Sequence, residues 1–138
     1  MIVLDSNVLS AVMRDPPEQK VERWLDKQPS GSVWTTSITV FELRFGIELL
    51  EGGRQRSKLA HILELVLQRF EDRIAPLDAE AARCTAELMA ARQKRGRPQD
   101  LRDTMIAGIA VSLHATLATR NTAHFSDAGI PLVNPWTS

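Results

Sequence analysis

The sequence predicts an α/β fold with a mainly parallel sheet covered by helices. Three observations carry that expectation. Short apolar runs alternate with segments of helical period along the whole chain. The first run, Ile2-Val3-Leu4, shows no polar alternation, as a strand buried on both faces would. Most connections between runs are themselves helical, and helical crossovers join parallel strands.

Taken in order, Ile2 to Leu4 is the first strand. Asp5-Ser6-Asn7 follows, rich in residues that cap helices. Pro16-Pro17 opens a second helical stretch, with Val21, Trp24 and Leu25 on one face. Ser32 to Thr36 reads as a strand and Ser37 to Leu50 as a helix ended by Gly52-Gly53. Leu59, Ile62, Leu63, Val66, Leu67 and Phe70 keep the strongest helical period in the chain. Ile74 to Leu77 is a short strand, and Asp78 to Arg95 a long helix with Gly96 beyond its end. Asp100 caps a helix running to Leu113. Ala115 to Thr119 and Pro131 to Val133 complete the strands.

With 138 residues the chain is expected to form one domain, 1–138. Its composition is 43% hydrophobic and 25% charged, which excludes a disordered tail, a collagen-like fibre or a coiled-coil rod. Seventeen basic side chains balance seventeen acidic ones. Nucleic-acid binding by bulk charge is therefore excluded, and any such binding must come from a local patch. The single cysteine, Cys84, excludes an intrachain disulfide and a four-cysteine zinc site. The longest apolar stretch, Met105 to Leu113, falls far short of the ~20 residues that cross a bilayer. The N-terminus lacks a basic region, and Asp5 interrupts its apolar run, so it does not read as a signal peptide. These features lead us to expect a cytoplasmic protein that makes no use of a membrane.

In parallel sheets the ligand site lies beyond the carboxyl ends of the strands. Three acids fall on that edge. Asp5 directly follows the first strand, where it is either a helix cap or a site residue. Glu42 lies in the helix after the second strand, either facing solvent near the positive helix end or facing the edge. Asp103 lies in the first turn of the helix capped by Asp100, where a capping box also puts an acid. Each acid alone is weakly informative. Three ionised carboxylates at ~5 Å and an effective dielectric of ~20 would cost roughly 3 kcal/mol per pair. Such a cluster takes up protons or binds a cation, and carboxylate-and-water sites suit Mg²⁺ or Mn²⁺. A metal so held activates water and polarises phosphate, the chemistry of a phosphodiesterase.

The chain resembles the PIN-domain ribonucleases, and within them the VapC toxins of the FitB-like branch. The resemblance is carried by Ile2 to Leu9 (IVLDSNVL), Thr36 to Gly46 (TSITVFELRFG), Asp103 to Ala107 (DTMIA), Ala118 to Thr122 (ATRNT) and the terminal Asn134-Pro135-Trp136. These pieces occur in the family's order and span nearly the whole chain. The resemblance implies an α/β/α sandwich that cleaves RNA with Mg²⁺ or Mn²⁺. It makes Asp5 and Asp103 direct metal ligands, with Glu42 acting through water or as a further ligand. Asn7 and Thr119 match positions that support the site, and Asn121, in the same loop as Thr119, is a further candidate for support. Arg44 and Arg120 lie inside the motifs and are candidates for substrate contact. The chain departs from the pattern at the fourth acid, where His124 stands before Phe125 and Asp127 is out of register. His124 has three roles open to it: a softer metal, an RNA phosphate, or none. The resemblance also implies a homodimer and a small antitoxin partner of the VapB/FitA kind.

Other features have plainer readings. Arg92, Lys94, Arg95 and Arg97 cluster around Gly96, most simply as the solvated basic end of a helix, alternatively as a phosphate-contacting patch near Asp103. His61 and His114 read as structural or exposed. The stripe from Leu59 to Phe70 reads as core. Together with the helices from Pro17 to Leu50, it is also a candidate partner surface. Trp24 is either core or an interface anchor. Two competing functions follow. One is a PIN-like module that binds partners without cutting. The other is a haloacid-dehalogenase-type phosphatase, which needs a second acid where Asn7 stands.

Overall fold

The computed structural model describes residues 1–138. Its elements run β1 (Ile2–Leu4), α1 (Ser6–Val12), α2 (Gln19–Asp26), β2 (Val33–Thr36), α3 (Ser37–Glu48), α4 (Arg54–Phe70), β3 (Ile74–Ala75), α5 (Ala79–Lys94), α6 (Leu101–Ser112), β4 (Thr116–Ala118), a 3-10 turn (Thr122–Phe125) and β5 (Leu132–Val133). The strands pair in the order β3-β2-β1-β4-β5, and all four pairings are parallel. The chain walks from β1 through β2 to β3 on one side, then returns to β4 and β5 on the other. The direction of travel therefore reverses between β1 and β4, and this is where a parallel sheet leaves a crevice at its carboxyl edge.

Residue alternation along each strand divides the core into two layers. Leu4 and Ala118 pack with α1, α2 and the end of α4 through Val8, Leu9, Val21, Trp24 and Phe70. Val3 and Leu117 point the other way, against Ile106, Ala107 and Ala110 of α6. Both faces of the sheet are covered, so its strands carry apolar residues at successive positions and form the centre of an α/β/α sandwich. α5 and α6 pack closely at Gly108. A Cβ there would lie 2.9 Å from the Thr85 backbone nitrogen.

The elements sit where the sequence placed them, with ends trimmed for local reasons. β3 stops at Ala75 because Pro76 has no N–H to give a neighbouring strand. Asp78 caps α5 by accepting from Ala81 N at 2.9 Å, and Gly96 takes φ 69° just beyond its end. The Leu59–Phe70 stripe buries Leu63 and Phe70 and half-buries Val66, while Leu65 remains exposed. Trp24 is core, 8% exposed, rather than a free anchor.

Candidate active site

Strand register builds the site. Leu4 pairs with Ala118, so the next residues on each strand, Asp5 and Thr119, stand side by side at the reversal point. Thr119 Oγ1 donates to Asp5 Oδ2 at 2.7 Å, and Ser6 N donates to Asp5 Oδ1 at 2.8 Å. Asp5 thus caps α1 and faces the crevice at once; the two readings of this residue coexist. It is 3% exposed. Burial, reinforced by the charges of Asp103 and Glu42, outweighs both hydrogen bonds and raises its pKa from 3.8 to about 6.

Glu42 reaches the same edge from α3. That helix starts at the end of β2 because Thr36 caps it, Oγ1 accepting from Thr39 N at 3.1 Å. Ser6 Oγ donates to Glu42 Oε1 at 2.9 Å and lies 2.9 Å from Thr39 Oγ1. Ser6 therefore ties two of the three acids together, one through its backbone and one through its hydroxyl. Burial raises the Glu42 pKa, with Asp103 and Asp100 adding to it against the Ser6 bond and the Arg102 charge.

Asp103 enters from the first turn of α6. Asp100 caps that helix, accepting from Arg102 N at 2.9 Å and Asp103 N at 3.2 Å. The reciprocal bond of a capping box is not made, and the Asp103 carboxylate accepts no hydrogen bond from the protein. Burial and then Asp100 raise its pKa, while His124, Arg92 and Arg102 pull it back. His124 thus sits on the Asp103 side of the crevice, on the 3-10 turn.

The supporting residues divide. Asn121 N donates to Thr119 Oγ1 at 3.0 Å, which fixes the hydroxyl that orients Asp5. Asn7 Oδ1 accepts from Arg120 N at 3.4 Å, a long bond. The Arg120 guanidinium lies 4.9 Å from the centre of the Trp136 ring, at the edge of the same loop. Arg44 is paired with Glu64 on α4. Residues two positions apart on a helix are rotated by about 200°, so Arg44 and Glu42 face different ways.

Arg92 departs from its expectation as part of a solvated helix end: its side chain is 1% exposed. Nε and Nη2 grip both Asp127 oxygens at 2.9 Å, Nη1 donates to Thr104 Oγ1 at 3.0 Å, and Nη2 also donates to His124 O at 2.9 Å. Asp127, out of register as a fourth acid, is instead the counter-ion that buries this guanidinium. Sequence reasoning also passed over Ser6, Thr39 and Asp100 as site neighbours. Their signal was position: each lies within three residues of a candidate acid.

The donor set is three carboxylates, each held above its ordinary pKa at a shared edge. Oxygen donors with excess negative charge suit a hard divalent cation. No three acidic or imidazole side chains converge tightly enough to enclose an ion unaided. An ion that keeps most of its water shell, as Mg²⁺ does, needs only one or two direct carboxylates, and the donor type here suits it.

A family model described as "PIN domain" matches residues 2–130, and the chain belongs to that family. It is 38% identical over 137 residues to VapC ribonuclease Y4jK of Sinorhizobium fredii, covering 99% of this chain and 98% of that protein. It is 36% identical over 137 residues to toxin FitB of Neisseria gonorrhoeae, covering 99% of each. The fold is similar to that in the crystal structure of FitAcB from Neisseria gonorrhoeae, with a TM-score of 0.90, 36% identity and 100% of both chains covered.

Proposed function

We propose that this chain is a metal-dependent endoribonuclease, the toxin of a VapBC- or FitAB-like toxin–antitoxin pair, acting in the cytoplasm as one domain. The observation that carries the reading is the carboxylate cluster at the sheet's reversal point, where Asp5, Glu42 and Asp103 each have a pKa raised chiefly by burial and Asp103 adds to the shift of the other two. Full-length similarity to a VapC ribonuclease and to the FitB toxin supports the same reading.

Asp5 and Asp103 would hold Mg²⁺ or Mn²⁺ directly, with Glu42 joining through water or as a further ligand. When bound, such an ion lowers the pKa of a water and offsets charge on a phosphodiester oxygen. The chain's own groups do the rest. Thr119 and Ser6 fix the Asp5 carboxylate, and Asn121 fixes Thr119. Ser6 occupies Glu42 Oε1, leaving Oε2 to orient water and take its proton as the RNA phosphodiester is attacked. Arg120 and His124 border the crevice where the strand's phosphates would pass.

The antitoxin and a second copy of the chain would cover apolar surface. On α3, Phe41 and Phe45 stack with centroids 5.9 Å apart, and Leu49 is 70% exposed one turn further on. An exposed apolar ridge of this kind supports a partner-bound state. Light scattering on the isolated chain tests the homodimer.

The decisive experiment is cleavage of total cellular RNA by purified protein freed of partner. Wild type and Asp5→Asn are compared with Mg²⁺, Mn²⁺ and EDTA. Discrete fragments from wild type alone, and only with metal, are expected. Fragments from Asp5→Asn as well would sink the mechanism. One observation favours a second reading, a non-cutting partner-binding module: His124 stands where an acid is usual in the family pattern. Metal-dependent cleavage that Asp103→Ala abolishes removes that alternative.

A further inference from the structure

Seventeen basic residues balance seventeen acidic ones, so the chain as a whole does not attract a polyanion. The crevice is less favourable still, because Asp5, Glu42, Asp103 and Asp100 crowd it. RNA affinity is dominated by phosphate contacts. A strand drawn to this edge therefore needs a cationic surface close by.

One adjoins it. A cavity of about 480 Å³ opens between the end of α5 and the 3-10 turn, walled by Arg95, Arg97, Gln99, Ala123, Ser126 and Asp127. Ala123 precedes His124, and Gln99 precedes Asp100, the cap of the helix that carries Asp103. The cavity and the acidic crevice thus share two chain segments. The charge around it is positive: Arg92, Arg95 and Arg97 stand against the single carboxylate of Asp127. Arg92 grips that carboxylate with two bonds from behind, and Arg95 Nη2 adds a third at 2.8 Å. Arg97 makes no ion pair, while Arg95 beside it is bound to Asp127. The Gln99 amide oxygen in the same wall lies out of solvent without a partner. Rotation about its terminal torsion, which is broad, can instead present the amide NH2, the donor that a phosphate oxygen accepts from.

We propose that this cavity is a subsite for a backbone phosphate of the RNA strand, with Arg97 as its principal contact and Arg95 as the second. It rests on the nuclease reading and deepens it. A planar guanidinium presents paired donors that match phosphate oxygens. The Arg92 strut ties α5 to Thr104 on α6 and to the His124 carbonyl, so it holds the subsite at a fixed separation from Asp103. That separation selects which phosphodiester of a bound strand meets the carboxylates.

The test measures binding of fluorescein-labelled bulk tRNA to Asp5→Asn protein by anisotropy across a salt series. Adding Arg97→Ala is expected to weaken binding about 3–5-fold and to lower the log–log salt slope by about 0.7–0.9, one phosphate contact. Arg97→Glu weakens binding further, and Arg97→Lys keeps most of the slope. In the active protein Arg97→Ala raises KM by the same factor and leaves kcat unchanged. Arg69→Ala, on the opposite layer, changes none of these. Arg97 is exposed, so the variants fold, and thermal melts verify it. An unchanged affinity and slope in Arg97→Glu, with RNA still cleaved, overturns the subsite and leaves the nuclease standing. Wild type that binds RNA and cuts none with any metal overturns the nuclease, while the slope still decides the subsite. Wild type that binds no RNA removes both.

Discussion

Replacing Asp5 by Asn should stabilise the protein at neutral pH while abolishing cleavage. The native carboxyl titrates near 6 against 3.8 for the unfolded chain. That difference means the folded state disfavours the ionised form by about 3 kcal/mol. The sign follows from proton counting. Between pH 3.8 and 6 the native state holds more protons than the unfolded one, so unfolding free energy falls as pH rises through that window. Above it the full cost is present; below it there is none. Asparagine removes the charge and keeps an oxygen for Ser6 N. Its amide can donate to Thr119 Oγ1, but the Thr119 proton then loses its acceptor, at about 1 kcal/mol. The expected net gain at pH 7.5 is about 2 kcal/mol, or several degrees in Tm, shrinking toward zero by pH 4. Urea unfolding at both pH values measures it. Saturating Mn²⁺ should raise wild type and leave Asp5→Asn unmoved, narrowing the gap. An Asp5→Asn protein no more stable than wild type at pH 7.5, or equally more stable at pH 4, would refute the reasoning.

Four other outcomes are expected. Mn²⁺ affinity, followed by calorimetry, should rise steeply as pH passes through about 6, with proton release, because Asp5 must ionise to ligate; a flat profile from pH 5 to 8 would contradict it. Arg92→Ala should cost about 2–5 kcal/mol in denaturant unfolding, since it empties a buried site and leaves Asp127 with Arg95 as its only ion-pair partner. Asp127→Asn should cost less than Arg92→Ala, because Asp127 is 21% exposed and water can help satisfy the guanidinium it leaves behind. Gly108→Ala should destabilise by about 1–3 kcal/mol, as the added methyl meets Thr85 and forces α5 from α6; a melt unchanged from wild type would show that the helices slide apart freely.

The three acids were legible because their positions follow from local rules. Asp5 comes directly after an uninterrupted apolar run, so it must leave the sheet at its carboxyl edge. Asp103 lies three residues after a capping aspartate, so it must sit in a first turn beside that edge. Arg44 was a candidate for substrate contact by motif membership alone, and the structure shows its guanidinium paired with Glu64 on α4. Arg92 was not legible at all. Four basic residues in six positions read as a solvated helix end, and only a carboxylate 35 residues later makes burial of one of them affordable.

By itself the sequence determined the elements and their order: apolar run length separated strands from helices, and caps at Asp5, Thr36, Asp78 and Asp100 set where helices begin. The hydrophobic pattern also required helices on both faces of the sheet. Only the tertiary structure decided the pairings between distant residues. Thr119 and Asp5 are 114 residues apart and meet because β4 lies beside β1 in one register. A shift of one residue would turn both core faces inside out, so burial of Leu4 and Ala118 selects that register. The raised pKa values, the Ser6 link to Glu42 and the Arg92 strut depend on the same choice. They arise from desolvation and charge proximity, which exist only after the chain has closed around them.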